Sequence, residues 1–165
     1  MLDLETMGNN SNSAIIAIGA VAFDFKNGVY DKFYANIHLE TSIEAGLKVD
    51  GSTIEWWLNQ SEDARNSLLK NRVSLNSALS SFAKWYSDTN AQEVWGNGAM
   101  FDNTILGNAY IACGMEIPWK FWNDRCYRTI KSISPVELKR VGTHHNAVDD
   151  AESQALHLIE IFGKQ

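Results

Sequence analysis

Cysteine, proline and positive charge are all scarce in this chain. Among 165 residues there are two cysteines, Cys113 and Cys126. Two cysteines build no disulfide framework, and their spacing matches no zinc pattern. A reducing, cytoplasmic setting is the simplest expectation. Cys113 falls in an apolar helical pattern and is expected to be buried. The two prolines, Pro118 and Pro135, mark no proline-rich linker, and no repeat or low-complexity stretch appears. One domain spanning 1–165 is expected, large enough to bury roughly 70% of the surface its unfolded form exposes. Lys and Arg number 14 against 20 Asp and Glu, giving a net charge of −6 and a pI near 5.1. That balance argues against a broad basic footprint. The longest apolar run, Ala14 to Phe23, is too short for a bilayer, which needs about 20 residues. Asp3 and Glu5 interrupt the N-terminus, so no signal peptide is read there.

What is present is an ordinary globular composition, 45% hydrophobic and 21% charged, so a packed core rather than disorder is expected. Met1 to Glu5 alternates apolar and acidic residues like a short strand, with almost nothing before Leu2. Ala14 to Phe25 is apolar on both faces, the pattern of a central buried strand. Asn27-Gly28 signals a hairpin, and Val29 to Leu39 alternates with one wetter face. Strands one to three therefore predict an antiparallel meander.

Helical signals follow. Ser52-Thr53-Ile54-Glu55 reads as a capping box before Trp56 and Trp57. Ser61-Glu62-Asp63 opens another helix. Ser74 precedes helically spaced Leu75, Ala78, Leu79, Phe82 and Tyr86. Glu93 to Gly96 predicts a short strand. Phe101 to Cys113 predicts a helix stopped by Gly114. A strand is expected near Cys126 to Thr129, and a last helix over Asn146 to Phe162 with Ala147, Ala151, Ala155, Ile159 and Phe162 as its buried stripe. The mix predicts an α/β domain with a sheet covered on both faces.

Three acidic elements stand out. Asp3 and Glu5, at i and i+2 of a strand, point to one face while Leu2 and Leu4 pack the other. Two carboxylates so close repel unless a cation lies between them, and oxygen-rich sites suit Mg²⁺ or Mn²⁺. Asp102 follows a short strand and a glycine-bearing turn, Gly96-Asn97-Gly98, at a helix start. Taken alone, it reads as a simple helix cap or as compensation of the helix dipole. His144-His145-Asn146-Ala147-Val148-Asp149-Asp150 places a histidine in a loop and an aspartate one turn into a helix. The pattern leaves His144 with Asp149 and His145 with Asp150 both open, though Asp150 borders the stripe of Ala147 and Ala151. Lys131, Lys139 and Arg140, shortly before His144, offer either a local phosphate contact or solvated surface.

Asp-x-Glu on a first strand, an aspartate after a middle strand and His-x4-Asp opening the last helix together resemble the DEDDh exonucleases of the RNase H-like superfamily. Asp3-Leu4-Glu5-Thr6-Met7-Gly8 is similar to the first motif of that family and Phe101-Asp102 to the second. His145-Asn146-Ala147-Val148-Asp149-Asp150-Ala151 is similar to the third, which sets the register on His145 and Asp150. Trp56-Trp57-Leu58 and Trp95-Gly96-Asn97-Gly98 resemble the RNase T, RNase AS and phage exonuclease A branch. The segment between Asn97 and Phe101 is one residue longer than in the proofreading enzymes.

The resemblance implies an RNase H-like fold: a central mixed five-stranded sheet, antiparallel in strands 1–3, with two further strands, flanked by helices. It implies a metal-dependent 3′→5′ exonuclease acting on single-stranded nucleic acid with a free 3′ end, RNA or DNA, and releasing nucleoside 5′-monophosphates. Two divalent cations, Mg²⁺ or Mn²⁺, would be held by Asp3, Glu5, Asp102 and Asp150, with Asp3 bridging and His145 as general base. Thr6, Met7, Phe101 and Trp57 are the candidates for gripping the terminal nucleotide. Trp56 is a further stacking candidate, and one of the two tryptophans is expected in the core. A homodimer is in keeping with the resemblance, and no membrane partner is expected. The rival readings are an endonuclease on the same fold, a non-enzymatic nucleic-acid-binding module and a structural Ca²⁺ site. The last lacks EF-hand spacing.

Overall fold

Leu2–Thr6 (β1), Ile15–Asp24 (β2) and Gly28–Asn36 (β3) form an antiparallel meander in the computed structural model, which describes residues 1–163. The hairpin between β2 and β3 is closed by Asp24. Its carboxylate accepts the amides of Lys26 and Asn27 at 2.8 and 2.6 Å, and Gly28 takes φ +88°. Such a turn needs a residue that tolerates positive φ.

The helices Leu39–Glu44 (α1), Gly51–Leu58 (α2), Glu62–Ser67 (α3) and Leu75–Asp88 (α4) come next. Ser61 and Ser74 cap α3 and α4 by accepting the amides of Ala64 and Ser77, as their sequence predicts. Val94–Gly96 (β4) then lies parallel to β1, followed by Asp102–Ala112 (α5). Asp124–Cys126 (β5) lies parallel to β4, Tyr127–Ile133 (α6) follows, and Ala147–Gly163 (α7) is the last helix. The sheet order is β3-β2-β1-β4-β5, so β1 is central.

Alternation along β1 sorts its side chains between two layers. Leu2 and Leu4 join Leu79, Phe82, Ile105 and Leu106 in the core beneath α4 and α5. Asp3 and Glu5 face the other layer, where α7 packs Ala151, Ala155 and Leu158 against Val21 and Trp95. Two helix starts come unusually close to the sheet, each over a glycine. A Cβ on Gly19 would lie 2.1 Å from the carbonyl carbon of Ala147, and one on Gly96 would lie 2.3 Å from Asn103 Oδ1. Gly19 pairs with Asp3 across the β1–β2 ladder. A side chain there would lift the first turn of α7 away from Asp3.

Three boundaries differ from the sequence expectation. The third strand stops at Asn36 instead of running to Leu39, because the Asn36 amide donates to the carbonyls of Ser67 and Lys70 and ties the chain to the end of α3. The second helix begins at Gly51, with Asp50 rather than Ser52 at its N-cap. The Asp50 carboxylate instead accepts the backbone amide of Asn9 and the side-chain amide of Asn10. The strand expected near Cys126 to Thr129 lies at Asp124–Cys126, and Tyr127 already begins α6, its ring fully buried beside α7. Cys113 is half-buried rather than fully enclosed.

Candidate metal centre

Strand alternation delivers Asp3 and Glu5 to one spot, and two helix starts bring the other acids to it. Glu5 is 7% exposed and Asp102 2%. Asp102 opens α5, and both its oxygens are held by backbone. Oδ1 accepts Leu4 N at 3.2 Å and Oδ2 accepts Asn97 N at 2.8 Å. Asp150 sits in the first turn of α7 and is also buried. Its Oδ2 accepts His145 N at 2.9 Å, and its Oδ1 accepts Arg140 Nη1 at 2.6 Å. Asp3 Oδ1 accepts Gln154 Nε2 at 2.7 Å. Carboxylate oxygens of Asp3, Glu5 and Asp150 lie within 4.8 Å of one another. Asp102 falls outside that trio, yet its charge is the strongest that Asp3 feels.

This gathering is electrostatically unfavourable in the bare protein. Burial, then the charges of Asp102 and Glu5, raise the Asp3 carboxyl well above the usual range. Burial, then Asp150 and Asp102, push Glu5 up to about 8. Burial pushes Asp102 up to about 7, against the pull of the amides of Asn97 and Leu4 and of the Arg128 guanidinium. A divalent cation would reverse that balance by restoring the charged forms. The donors are all oxygen, which fits a hard cation such as Mg²⁺ or Mn²⁺ better than a thiophilic one.

His145 lies in the loop before α7 at φ +63°, a region few residues other than glycine occupy. Asn146 caps the helix through its side chain, accepting Val148 N at 3.2 Å. The His145 ring meets Trp56 edge-on at 5.0 Å and stacks on His144 at 3.8 Å. Ring nitrogens of His144 and His145 come within 4.8 Å of an Asp150 oxygen. Burial, then the neighbouring His144, lower the His145 pKa. Asp149 is directed elsewhere, accepting Thr143 N at 2.7 Å.

Beside the acids is a cavity of about 340 Å³ lined by Glu5, Thr6, Asn9, Trp56, Trp57 and Phe101, among others. Trp57 forms its packed floor rather than an open stacking face. It is 5% exposed, and its indole N–H donates to Thr6 O at 3.0 Å. Trp56, 43% exposed, presents its ring instead. Met7 does not line the cavity; it packs half-buried against two core clusters.

A buried acidic cluster, a histidine and an aromatic cavity thus stand together at the end of a central strand. The family profile described as the Rv2179c-like 3′-5′ exoribonuclease domain matches residues 1–162. The chain belongs to that family. An exodeoxyribonuclease of Enterobacteria phage T4 is 29% identical over 157 residues, covering 78% of this chain and 68% of the phage protein. The crystal structure of the nuclease domain of 3′hExo, a DEDDh family member, bound to rAMP, superposes with a TM-score of 0.68. It is 12% identical, and the match covers 99% of this chain and 90% of that one. Cell-death related nuclease 4 gives a TM-score of 0.64 at 14% identity, covering 99% of this chain and 62% of its own. At such identities the likeness is one of fold, and the fold is the RNase H-like one, with its five-stranded mixed sheet.

Membership makes the chain a nuclease of the 3′-5′ exonuclease class, a hydrolase whose substrate is nucleic acid. Several groups beside this acidic cluster were given no role by the sequence reasoning. Gln154 holds Asp3, Asn97 holds Asp102 through its amide, and Arg128 donates to Asn97 O at 2.8 Å. Of these, Asn97 lay in the Trp95-Gly96-Asn97-Gly98 motif, and Gln154 carried a signal in lying four residues after Asp150 on one helix face.

Proposed function

We propose that residues 1–165 form one domain that removes nucleoside 5′-monophosphates from the 3′ end of single-stranded RNA or DNA, using two Mg²⁺ or Mn²⁺ ions. The observation that carries the reading is the convergence of Asp3, Glu5 and Asp150 oxygens within 4.8 Å, with Asp102 and His145 beside them. Asp3, Glu5, Asp102 and Asp150 would hold the ions. When bound, the ions supply charge neutralisation at the phosphate oxygens and acidify a water molecule. Four carboxylates against two dications leave a neutral site for an anionic substrate.

His145 acts as the base. Its lowered pKa leaves the imidazole neutral at physiological pH, with a lone pair free to take the proton of the attacking water. The contact of its ring with Trp56 and the bond from its backbone amide to Asp150 orient it toward the carboxylates. Trp56 and Phe101 line the cavity as stacking faces for the terminal nucleoside, with Thr6 at its end.

The homodimer expected from the resemblance stays part of this proposal, read by sedimentation at rising concentration. So does a reducing, cytoplasmic setting, which suits two free cysteines. Among the described residues no helix is long and apolar enough to cross a membrane.

Matched 3′-labelled RNA and DNA oligomers, incubated with Mg²⁺, Mn²⁺ or EDTA, test the function. The expected result is stepwise release of mononucleotides with either metal and none with EDTA. A circular single strand should stay intact. Cutting of the circle would favour the endonuclease reading, and metal-independent release would contradict the proposed chemistry.

A further inference from the structure

Two arginines beside the acidic cluster have no role in the scheme above. Arg140, in the segment between α6 and α7, is exposed and bonds Asp150 Oδ1 through Nη1 at 2.6 Å. Arg128, the second residue of α6, is also exposed. Its Nη2 donates to Asn97 O at 2.8 Å, and Asn97 N donates to Asp102 Oδ2. One guanidinium therefore stands against Asp150 and the other, one residue removed, against Asp102. Their fields reach the same centre, since Arg128 acts on Asp102 and Arg140 acts on His145. Neither lines the aromatic cavity, which is built from the end of β1, α2 and the start of α5.

This placement matters in a chain of net charge −6. A guanidinium has five N–H donors in a planar fork that matches phosphate geometry. In the bare protein Arg140 balances Asp150. Once cations take the carboxylates, that charge is released from its partner, while the neighbouring Val141 backbone stays bonded to Ser153 Oγ on α7. The strand leading into the site brings one phosphate per nucleotide, and the first beyond the scissile bond needs a counter-charge that the neutralised acidic cluster does not offer.

We propose that Arg140 and Arg128 form a subsite for the phosphodiester immediately 5′ of the scissile linkage, gripping the upstream strand while the terminal nucleoside occupies the aromatic cavity. This rests on the exonuclease reading above and adds a substrate requirement to it. A dinucleotide without a 5′-phosphate lacks the group the arginines hold, whereas a trinucleotide has it.

The test uses 5′-fluorescein single-stranded oligomers, bound in Ca²⁺ to hold them uncut and followed by anisotropy. One oligomer is all phosphodiester. The other carries an uncharged methylphosphonate at the linkage next to the scissile one. The wild-type protein should bind the neutral-linkage oligomer about tenfold more weakly, the scale of one lost charge-assisted contact. The double variant R128A/R140A should bind the unmodified oligomer about tenfold more weakly and no longer distinguish the two. The slope of its affinity against salt should also fall by roughly 0.7 per lost contact. R128K/R140K, which keeps the charge without the fork, should fall between. A double alanine variant that retains the full penalty for the neutral linkage, or binds like wild type, overturns the subsite. Wild-type cleavage of the unmodified oligomer in Mn²⁺ runs alongside. If that fails, the exonuclease reading falls and takes the subsite with it; if it succeeds, a negative binding result counts against the arginines alone.

Discussion

Asp102 and Trp56 serve neighbouring parts of the site but are held in opposite ways. Asp102 is 2% exposed, with its two oxygens on the backbone amides of Leu4 and Asn97. Trp56 is 43% exposed and is held by ring contacts to Trp57 and His145. The acidic floor is thus fixed by the sheet and by two helix starts seated over Gly19 and Gly96. The aromatic wall is carried by α2, which touches the floor through the Trp57–Thr6 bond. Elements locked by main chain suit the invariant chemistry of hydrolysis, where small displacements are expensive. A wall made of side-chain faces suits nucleoside binding, where stacking tolerates different bases.

Variants that separate the two halves test this division. The largest effect is expected for His145→Ala, which spans both. Its cleavage rate should fall on the order of 10²–10⁴-fold, the range of a lost general base, while metal affinity stays near wild type. A near-wild-type rate would remove His145 from the mechanism. Trp56→Ala should act on the wall alone. Stacking worth about 1–3 kcal/mol predicts a KM raised roughly tenfold with kcat little changed. A loss confined to kcat would place Trp56 on the catalytic side instead.

The smallest effect belongs to the floor in the absence of metal. Glu5 is raised from 4.5 to about 8 and Asp102 from 3.8 to about 7. An acid whose pKa is raised by folding binds its proton more tightly folded than unfolded. Its stabilising contribution is therefore full below the unfolded value and is lost as pH climbs through the folded one. Metal-free protein should melt lower at pH 8 than at pH 5, by about 2–4 °C for each kcal/mol lost. Saturating Mn²⁺ should flatten that dependence. A melting temperature that rises with pH in EDTA would contradict the floor's electrostatics.

The same division explains what could be read from the sequence. Alternation in Met1 to Glu5 and the unbroken apolar run into β2 gave the meander, because a central strand buried on both faces leaves few alternatives. Asp3 and Glu5 were legible because their i, i+2 spacing repeats the period of the strand that carries them, whereas Asp102 and Asp150 were marked out only by resemblance to the DEDDh motifs. The wall was not. Trp56 and Trp57 are adjacent, both suit a helix, and only the packing of α2 onto Thr6 and Ala17 decides which faces the cavity. Tyr127-Arg128-Thr129-Ile130 has strand propensity, yet burial of Tyr127 against α7 makes it a helix. Arg128 was invisible for that reason, since its reach to Asn97 depends on a helix the pattern did not announce.

Calorimetric titration of Mn²⁺ into the wild-type protein and into Asp3→Asn tests the central claim most directly. If the buried carboxylates form one cation site, the wild-type protein binds Mn²⁺ and Asp3→Asn binds it at least about tenfold more weakly. A wild-type protein that takes up no Mn²⁺, or an Asp3→Asn variant that binds it as tightly, would contradict the account.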